Sequence, residues 1–153
     1  MGNFKKKNMF IGEYTHSIDI KKRLAFPSKF RSELGGERVV ITRGLDRCLF
    51  AYPLHIWEGI AEKLGKFPMG DPETRSFVRV LLAGAVDIDL DSQGRILIPE
   101  YLRVYAQIER NVVIAGLYDR IELWNDTVWE HYKEDAEKNT DEIAKKLGDL
   151  GLY

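Results

Sequence analysis

Two short stretches of this chain carry the residue types needed to hold an anion or read a base edge from a rigid corner. They run Asp19-Ile-Lys-Lys-Arg23-Leu-Ala-Phe-Pro27 and Asp91-Ser-Gln-Gly-Arg95-Ile-Leu-Ile-Pro99. In each, an aspartate precedes an arginine by four positions, three apolar residues follow, and a proline closes the unit. A guanidinium is a planar fork of donors that matches a phosphate or a guanine edge bidentately. The first copy adds charge, because Lys21, Lys22 and Arg23 are three consecutive cations. The second shows the mechanics better. A three-residue hairpin loop needs φ > 0 at its last position, and Gly94 supplies that without steric cost. Asp19 and Asp91 can accept hydrogen bonds from the loop N–H groups or pair with Arg23 and Arg95. Either way each arginine projects from a closed corner. Lys22 stands where the second copy has Gly94, and a left-handed lysine costs about 1–2 kcal/mol. So either strain is tolerated at Lys22 or the first loop differs. A turn-stabilising Asp–Arg pair with no ligand is the alternative reading; against it, an exposed ion pair contributes only about 0–1 kcal/mol.

The two turns sit in a longer repeat. Read against the residue seventy-two positions on, Gly12, Asp19, Arg23, Pro27, Arg31, Gly44, Leu45, Trp57 and Glu58 all recur without a gap. That spacing exceeds the ~20–50-residue period of a solenoid and marks a duplicated half-domain. Each half must place its turn between two short extended runs, Tyr14 to Asp19 and Arg23 to Phe26 in the first. Pro27 then begins a helix over Ser28 to Leu34, stopped by Gly35-Gly36. Strands at Val39 to Ile41 and Cys48 to Tyr52 flank a turn at Gly44. A helix from Pro53 carries Ile56, Trp57, Ile60 and Leu64 as its apolar stripe. Residues 67–70 form a linker, and Asp71-Pro72 caps a connecting helix with Phe77, Val80 and Leu81 on its buried face. The second half repeats the plan with strands Val86 to Leu90, Arg95 to Ile98, Val112 to Ala115 and Ile121 to Trp124. The organisation expected is a first half at 9–66, a linker and helix at 67–82, a second half at 83–134, and a helical tail at 135–153. Trp57 and Trp129 read as core anchors.

At 153 residues the chain can bury roughly 68–70% of its unfolded surface, whereas either half alone is marginal; the halves should share a core. Cys48 is the only cysteine, which excludes an internal disulfide and fits a reducing cytoplasm. No signal-peptide core is visible, and the longest apolar run, Leu81 to Val86, is too short to span a membrane. Met9 is a candidate natural start, with Lys5-Lys6-Lys7 a candidate basic arm. The net charge of −1 argues against a nucleic-acid partner until its distribution is read. Residues 1–80 hold 15 Lys+Arg and 9 Asp+Glu, a charge of +6; residues 81–153 hold 8 and 15, a charge of −7. A cationic and an anionic half suit attraction to phosphate through one face, head-to-tail self-association, or both. Asp87, Asp89 and Asp91 form a solvated strand face rather than a calcium loop, which would need Gly at Ser92 and Glu at Ile98. His16, His55 and His131 have no ligand spacing. No P-loop, dinucleotide fingerprint or nucleophile elbow is present, so an enzyme is not expected, and neither metal nor cofactor.

The order Met9-Phe10-Ile11-Gly12-Glu13-Tyr14, Asp19…Arg23…Pro27…Phe30-Arg31, Ala83-Gly84-Ala85, Asp91…Gly94-Arg95…Ile98-Pro99…Leu102-Arg103, Gly116 and Glu122-Leu123-Trp124 resembles the MraZ family from about Met9 onward. That resemblance implies an α+β fold with a mainly β core, a duplicated swapped-hairpin β-barrel of the AbrB/SpoVT type with flanking helices. It implies a nucleoid-associated transcriptional regulator, a repressor of the division and cell-wall operon. Such a protein binds duplex DNA at direct repeats upstream of its own gene as a ring-shaped homo-oligomer, with no small-molecule substrate. The family's motif maps onto Asp19/Arg23 and Asp91/Arg95, making Lys21, Lys22, Arg23 and Arg95 the expected DNA contacts and Asp19, Asp91 and Gly94 the residues that orient the turns. Lys22 departs from the Gly usual there. The alternative is an oligomeric scaffold whose basic turns bind an acidic protein.

Overall fold

The computed structural model describes residues 9–153, so the candidate arm at Lys5 to Lys7 lies outside the described residues. The first half runs β1 (Phe10–Ser17), β2 (Arg23–Ala25), α1 (Ser28–Leu34), β3 (Val39–Arg43), β4 (Leu49–Pro53) and α2 (Leu54–Gly65). After α3 (Pro72–Val78) and a π-helical turn (Arg79–Ala83), the second half runs β5 (Val86–Ile88), β6 (Arg95–Leu97), α4 (Glu100–Tyr105), β7 (Asn111–Tyr118), β8 (Arg120–Asn125) and α5 (Asp126–Lys138). A last helix, α6 (Thr140–Asp149), follows. Asp71 caps α3 through Thr74 N–H, with Pro72 in its first turn.

The class is α+β, and the sheet is antiparallel throughout. Six strands form one sheet in the order β1-β7-β8-β4-β3-β5, and β2 pairs with β6 in a separate ribbon. Hairpins β3–β4 and β7–β8 stay within their own halves. The N-terminal strands do not: β1 joins β7 and β5 joins β3. This exchange is the swapped arrangement. Its hydrogen bonding is an open sheet plus a ribbon. The ribbon and helices α1 and α4 complete the enclosure by packing, and residues of both halves meet in one core that includes Leu24, Phe26, Phe30, Ile41, Ile96, Leu102, Ile114 and Leu123. Halves too short to bury enough surface alone thus exchange strands and share one interior.

Leu24 lies directly opposite Ile96 in the ribbon. They are repeat equivalents, so the internal two-fold axis passes between them, and both are buried. Since side chains alternate along a strand, an inward Leu24 and Ile96 turn Arg23 and Arg95 to the outer face.

The ungapped repeat does not hold everywhere. Pro53 and Asn125, equivalent at the repeat spacing, pair with Val39 and Val112, which are one residue further apart. Pairing with the swapped strands agrees, His16 with Val112 and Ile88 with Val39. So Val39-Val40-Ile41 matches Val112-Val113-Ile114. The loop after α4 gains one residue and the β7–β8 hairpin loses one. Register follows the apolar pattern, because a one-residue slip would turn Val112 and Ile114 away from the core.

Two burial expectations are corrected. Phe77 and Val80 are 40% and 41% exposed, whereas Val78 and Leu81 are buried. The π-helical turn rotates the docking face there, and the Thr42 hydroxyl donates to the Leu81 carbonyl at 2.6 Å. Trp57 and Trp129 are half-buried rather than core. They lie on α2 and α5 against Tyr52 and the buried Trp124, with ring centroids 5.8 and 5.2 Å apart.

Candidate functional site

The two charged turns are built alike, atom for atom. The Asp19 N–H donates to Arg23 O at 3.0 Å and the Lys22 N–H to Asp19 O at 2.9 Å; Asp91 N–H to Arg95 O and Gly94 N–H to Asp91 O repeat both distances. One carboxylate oxygen of Asp19 accepts from the N–H groups of Lys21 (2.9 Å) and Arg23 (2.8 Å). Asp91 accepts equivalently from Gln93 and Arg95, both at 2.9 Å. The other oxygen of each accepts from the arginine Nε at 2.8 Å. The backbone N–H of Arg23, ahead of its guanidinium, holds the Asp19 carboxyl below its ordinary value, against an opposing desolvation. Arg95 does the same for Asp91. Both aspartates are therefore ionised near neutral pH.

Nε is spent on orientation, and among the described residues neither terminal fork hydrogen-bonds its own aspartate. The arginine side chains are about one third and one quarter exposed, 30% for Arg23 and 24% for Arg95, so both are reachable from outside. The clusters also touch across the axis, where Arg95 Nη1 stands 3.9 Å from Asp19 Oδ2.

Lys22 resolves the alternative left open by sequence. It adopts φ 65° beside 72° for Gly94, so the loop is kept and the strain tolerated. Replacing Lys22 with glycine should therefore raise stability by about 1 kcal/mol, read as a higher urea midpoint at fixed protein concentration.

Several participants were not visible in the motif. Arg31, from α1, lies over the second turn: its Nη1 donates to Gln93 O at 2.9 Å. A Cβ on Gly94 would sit 1.8 Å from Arg31 Cδ. Its repeat equivalent Arg103 instead donates from Nε to Ile98 O at 3.0 Å. Lys22 has the Cβ that such a cover would strike. Arg38 at the second corner is held by Asp87 and Asp89, at 2.7 and 2.9 Å; these aspartates are thus ion-paired, not merely solvated. In the shifted register the equivalent of Arg38 is Asn111, whose Oδ1 accepts from Ser17 Oγ at 2.9 Å. The neighbouring Arg110 is exposed, and its backbone carbonyl accepts the Ile18 N–H at 2.7 Å immediately before the first turn. The first corner thus carries Lys21, Lys22 and Arg110 as cations with no acidic partner among the described residues, while the second carries Gln93, Gly94, a neutralised Arg38 and Arg31 tied to Gln93 O. The site is polarised toward the first turn.

Other features are not gathered here. A cavity of about 460 Å³ lies toward the other end of the sheet, lined by Phe50, Arg120, Glu122, Trp124, Trp129 and Tyr132. Its Glu122 is committed internally, accepting from Trp124 Nε1 and Arg120. Cys48 is buried against Val113 and Trp124, and burial pushes its thiol pKa up. Among the described residues no group of three His, Cys, Asp or Glu is placed to hold a metal, and no helix is long and apolar enough to cross a membrane.

The MraZ protein family model matches the chain twice, over residues 9–80 and 81–150. The "Transcriptional regulator MraZ" of Halothermothrix orenii is 49% identical over 144 residues, covering 94% of this chain and all of that protein. The proteins of the same description from Pelotomaculum thermopropionicum and Alkaliphilus metalliredigens are 51% and 46% identical, across 94% of this chain and 99% and 100% of theirs. Matched twice by the family model and nearly end to end by these relatives, the chain belongs to the MraZ family of transcriptional regulators.

Proposed function

We propose that this chain is a sequence-specific DNA-binding repressor that recognises direct repeats upstream of its own gene in the division and cell-wall operon. It acts in the cytoplasm, on the nucleoid, as a ring of identical subunits. The observation that carries this reading is the outward pair Arg23 and Arg95, each oriented by its own aspartate, on a ribbon whose inner face is the core. Lys21, Lys22, Arg23 and Arg95 are the contacts; Asp19, Asp91 and Gly94 set the turns. Arg110 adds a phosphate-directed cation at the first corner. Rigid turns presenting forked donors suit base edges or phosphates.

Charge and geometry support the ring reading. Unlike halves, one cationic and one anionic, favour heterologous head-to-tail contacts, which close into rings when the rotation permits. A ring aims identical corners the same way, and tandem sites in register convert later contacts into intramolecular ones, raising avidity by about 10²–10⁴. The test is light scattering of the full chain, alone and with its upstream duplex, beside a salt titration of affinity. A ring-sized mass and binding that weakens steeply with salt are expected. A monomer, or salt-insensitive binding without preference for that duplex, refutes the reading. Binding only to an acidic protein would favour the scaffold alternative.

A further inference from the structure

The apex of the first turn carries a side chain that charge alone does not explain. Ile20 is 96% exposed, and it precedes Lys21, Lys22 and Arg23 on a loop closed by four hydrogen bonds. The corresponding residue of the second turn is Ser92. A single exposed apolar residue on an ordinary surface needs no explanation. This one differs in position: it caps the same rigid corner that aims Arg23 outward, and it is ringed by cations.

We infer that Ile20 is a specificity-determining residue that packs against the 5-methyl group of a thymine in the major groove. The inference rests on the DNA-binding reading above. If the first turn enters the groove far enough for the Arg23 fork to reach a base edge, the apex beside it must meet an adjoining base pair. Of the groups exposed on the major-groove floor, only the thymine methyl is apolar; the others are donors and acceptors that a branched aliphatic side chain would desolvate without compensation. Lys21, Lys22 and Arg110 hold the flanking phosphates and keep the apex pressed inward. Ser92 at the other turn has no such preference, so each subunit reads asymmetrically, with the apolar contact at the first corner alone.

The test uses the full chain and one duplex, the region upstream of its own gene, amplified either with thymidine or with deoxyuridine triphosphate. Deoxyuridine removes the methyl and keeps the hydrogen-bonding pattern. The wild-type chain is expected to bind the thymine duplex more tightly, by about fourfold per engaged turn, the worth of one buried methyl. Ile20→Ser is expected to bind both duplexes equally, at the affinity of the wild type for the uracil form. This change is fully exposed and leaves the fold intact, which a urea midpoint confirms. Equal wild-type binding to the two duplexes overturns the inference while the DNA-binding reading stands. Discrimination that survives Ile20→Ser also overturns it, by assigning the effect to duplex shape. Absence of salt-dependent binding to either duplex overturns both.

Discussion

Replacing Arg23 with alanine is expected to weaken binding to the upstream duplex by about 5- to 150-fold per engaged turn, equivalent to 1–3 kcal/mol. In the proposed ring every first corner changes at once, so the loss would compound through avidity. The size of the effect follows from the geometry. Asp19 fixes the guanidinium through Nε at 2.8 Å, so little side-chain freedom remains to be lost when the fork meets its target. Removing the fork leaves Lys21, Lys22 and Arg110, which supply charge but no planar bidentate recognition. Arg23→Lys should therefore recover salt-dependent binding while failing to recover preference for the native repeats. Arg95→Ala is expected to do less, since Arg95 Nη1 stands near Asp19, and of the other cations at its corner Arg38 is held by two aspartates and Arg31 is tied down on Gln93 O. Gel shifts across a salt series separate these outcomes, and unchanged affinity for Arg23→Ala would refute its assigned role. The turn itself survives that change, because Asp19 still accepts the N–H groups of Lys21 and residue 23.

Phe30→Ala should lower stability by about 3–5 kcal/mol, a large share of the 5–15 kcal/mol expected for a folded domain. Phe30 is fully buried. Its ring meets Phe10 and Tyr14 edge to face, with centroids 5.5 and 5.3 Å apart. Both partners lie on β1, the strand lent to the second half. Phe30 is thus the contact by which α1 keeps hold of its own exchanged strand, and its loss opens a cavity where the halves interlock. Urea unfolding at fixed protein concentration measures the change. A loss below about 1 kcal/mol would mean the swapped strand is held by its ladder alone. The same strand approaches β7 closely at Gly116, where a Cβ would lie 2.6 Å from the backbone of Phe10 and Ile11. Aromatic packing on one side and bare backbone on the other hold β1 in place.

Much of this molecule is legible without coordinates. The turns are local: an aspartate four residues before an arginine satisfies its own loop N–H groups, so the motif specifies its own hydrogen bonds. Pro27, Pro53 and Pro99 precede helices as their fixed φ suggests. Strands β3 and β8 fall where β-branched and apolar runs place them. What misled was also physical. The identity of Gly44 with Gly116 suggests equivalence, but compensating loop changes move β7 by one residue, and only its partners reveal that. The apolar spacing of α3 suggests Phe77 and Val80 as its buried face; a π-helical turn, which depends on what the helix docks against, rotates that face away.

The duplication, the α+β class, the charge division and the two arginine corners were determined by the sequence itself, because each depends on neighbours within about ten residues or on simple counting. Tertiary structure alone decided which half each N-terminal strand joins, that Arg31 lies across Gly94, that Arg38 is neutralised while Arg110 is free, and that Ile20 stands clear at the apex. Those outcomes rest on contacts between residues tens of positions apart, where the burial of a shared core, rather than local preference, selects the partner.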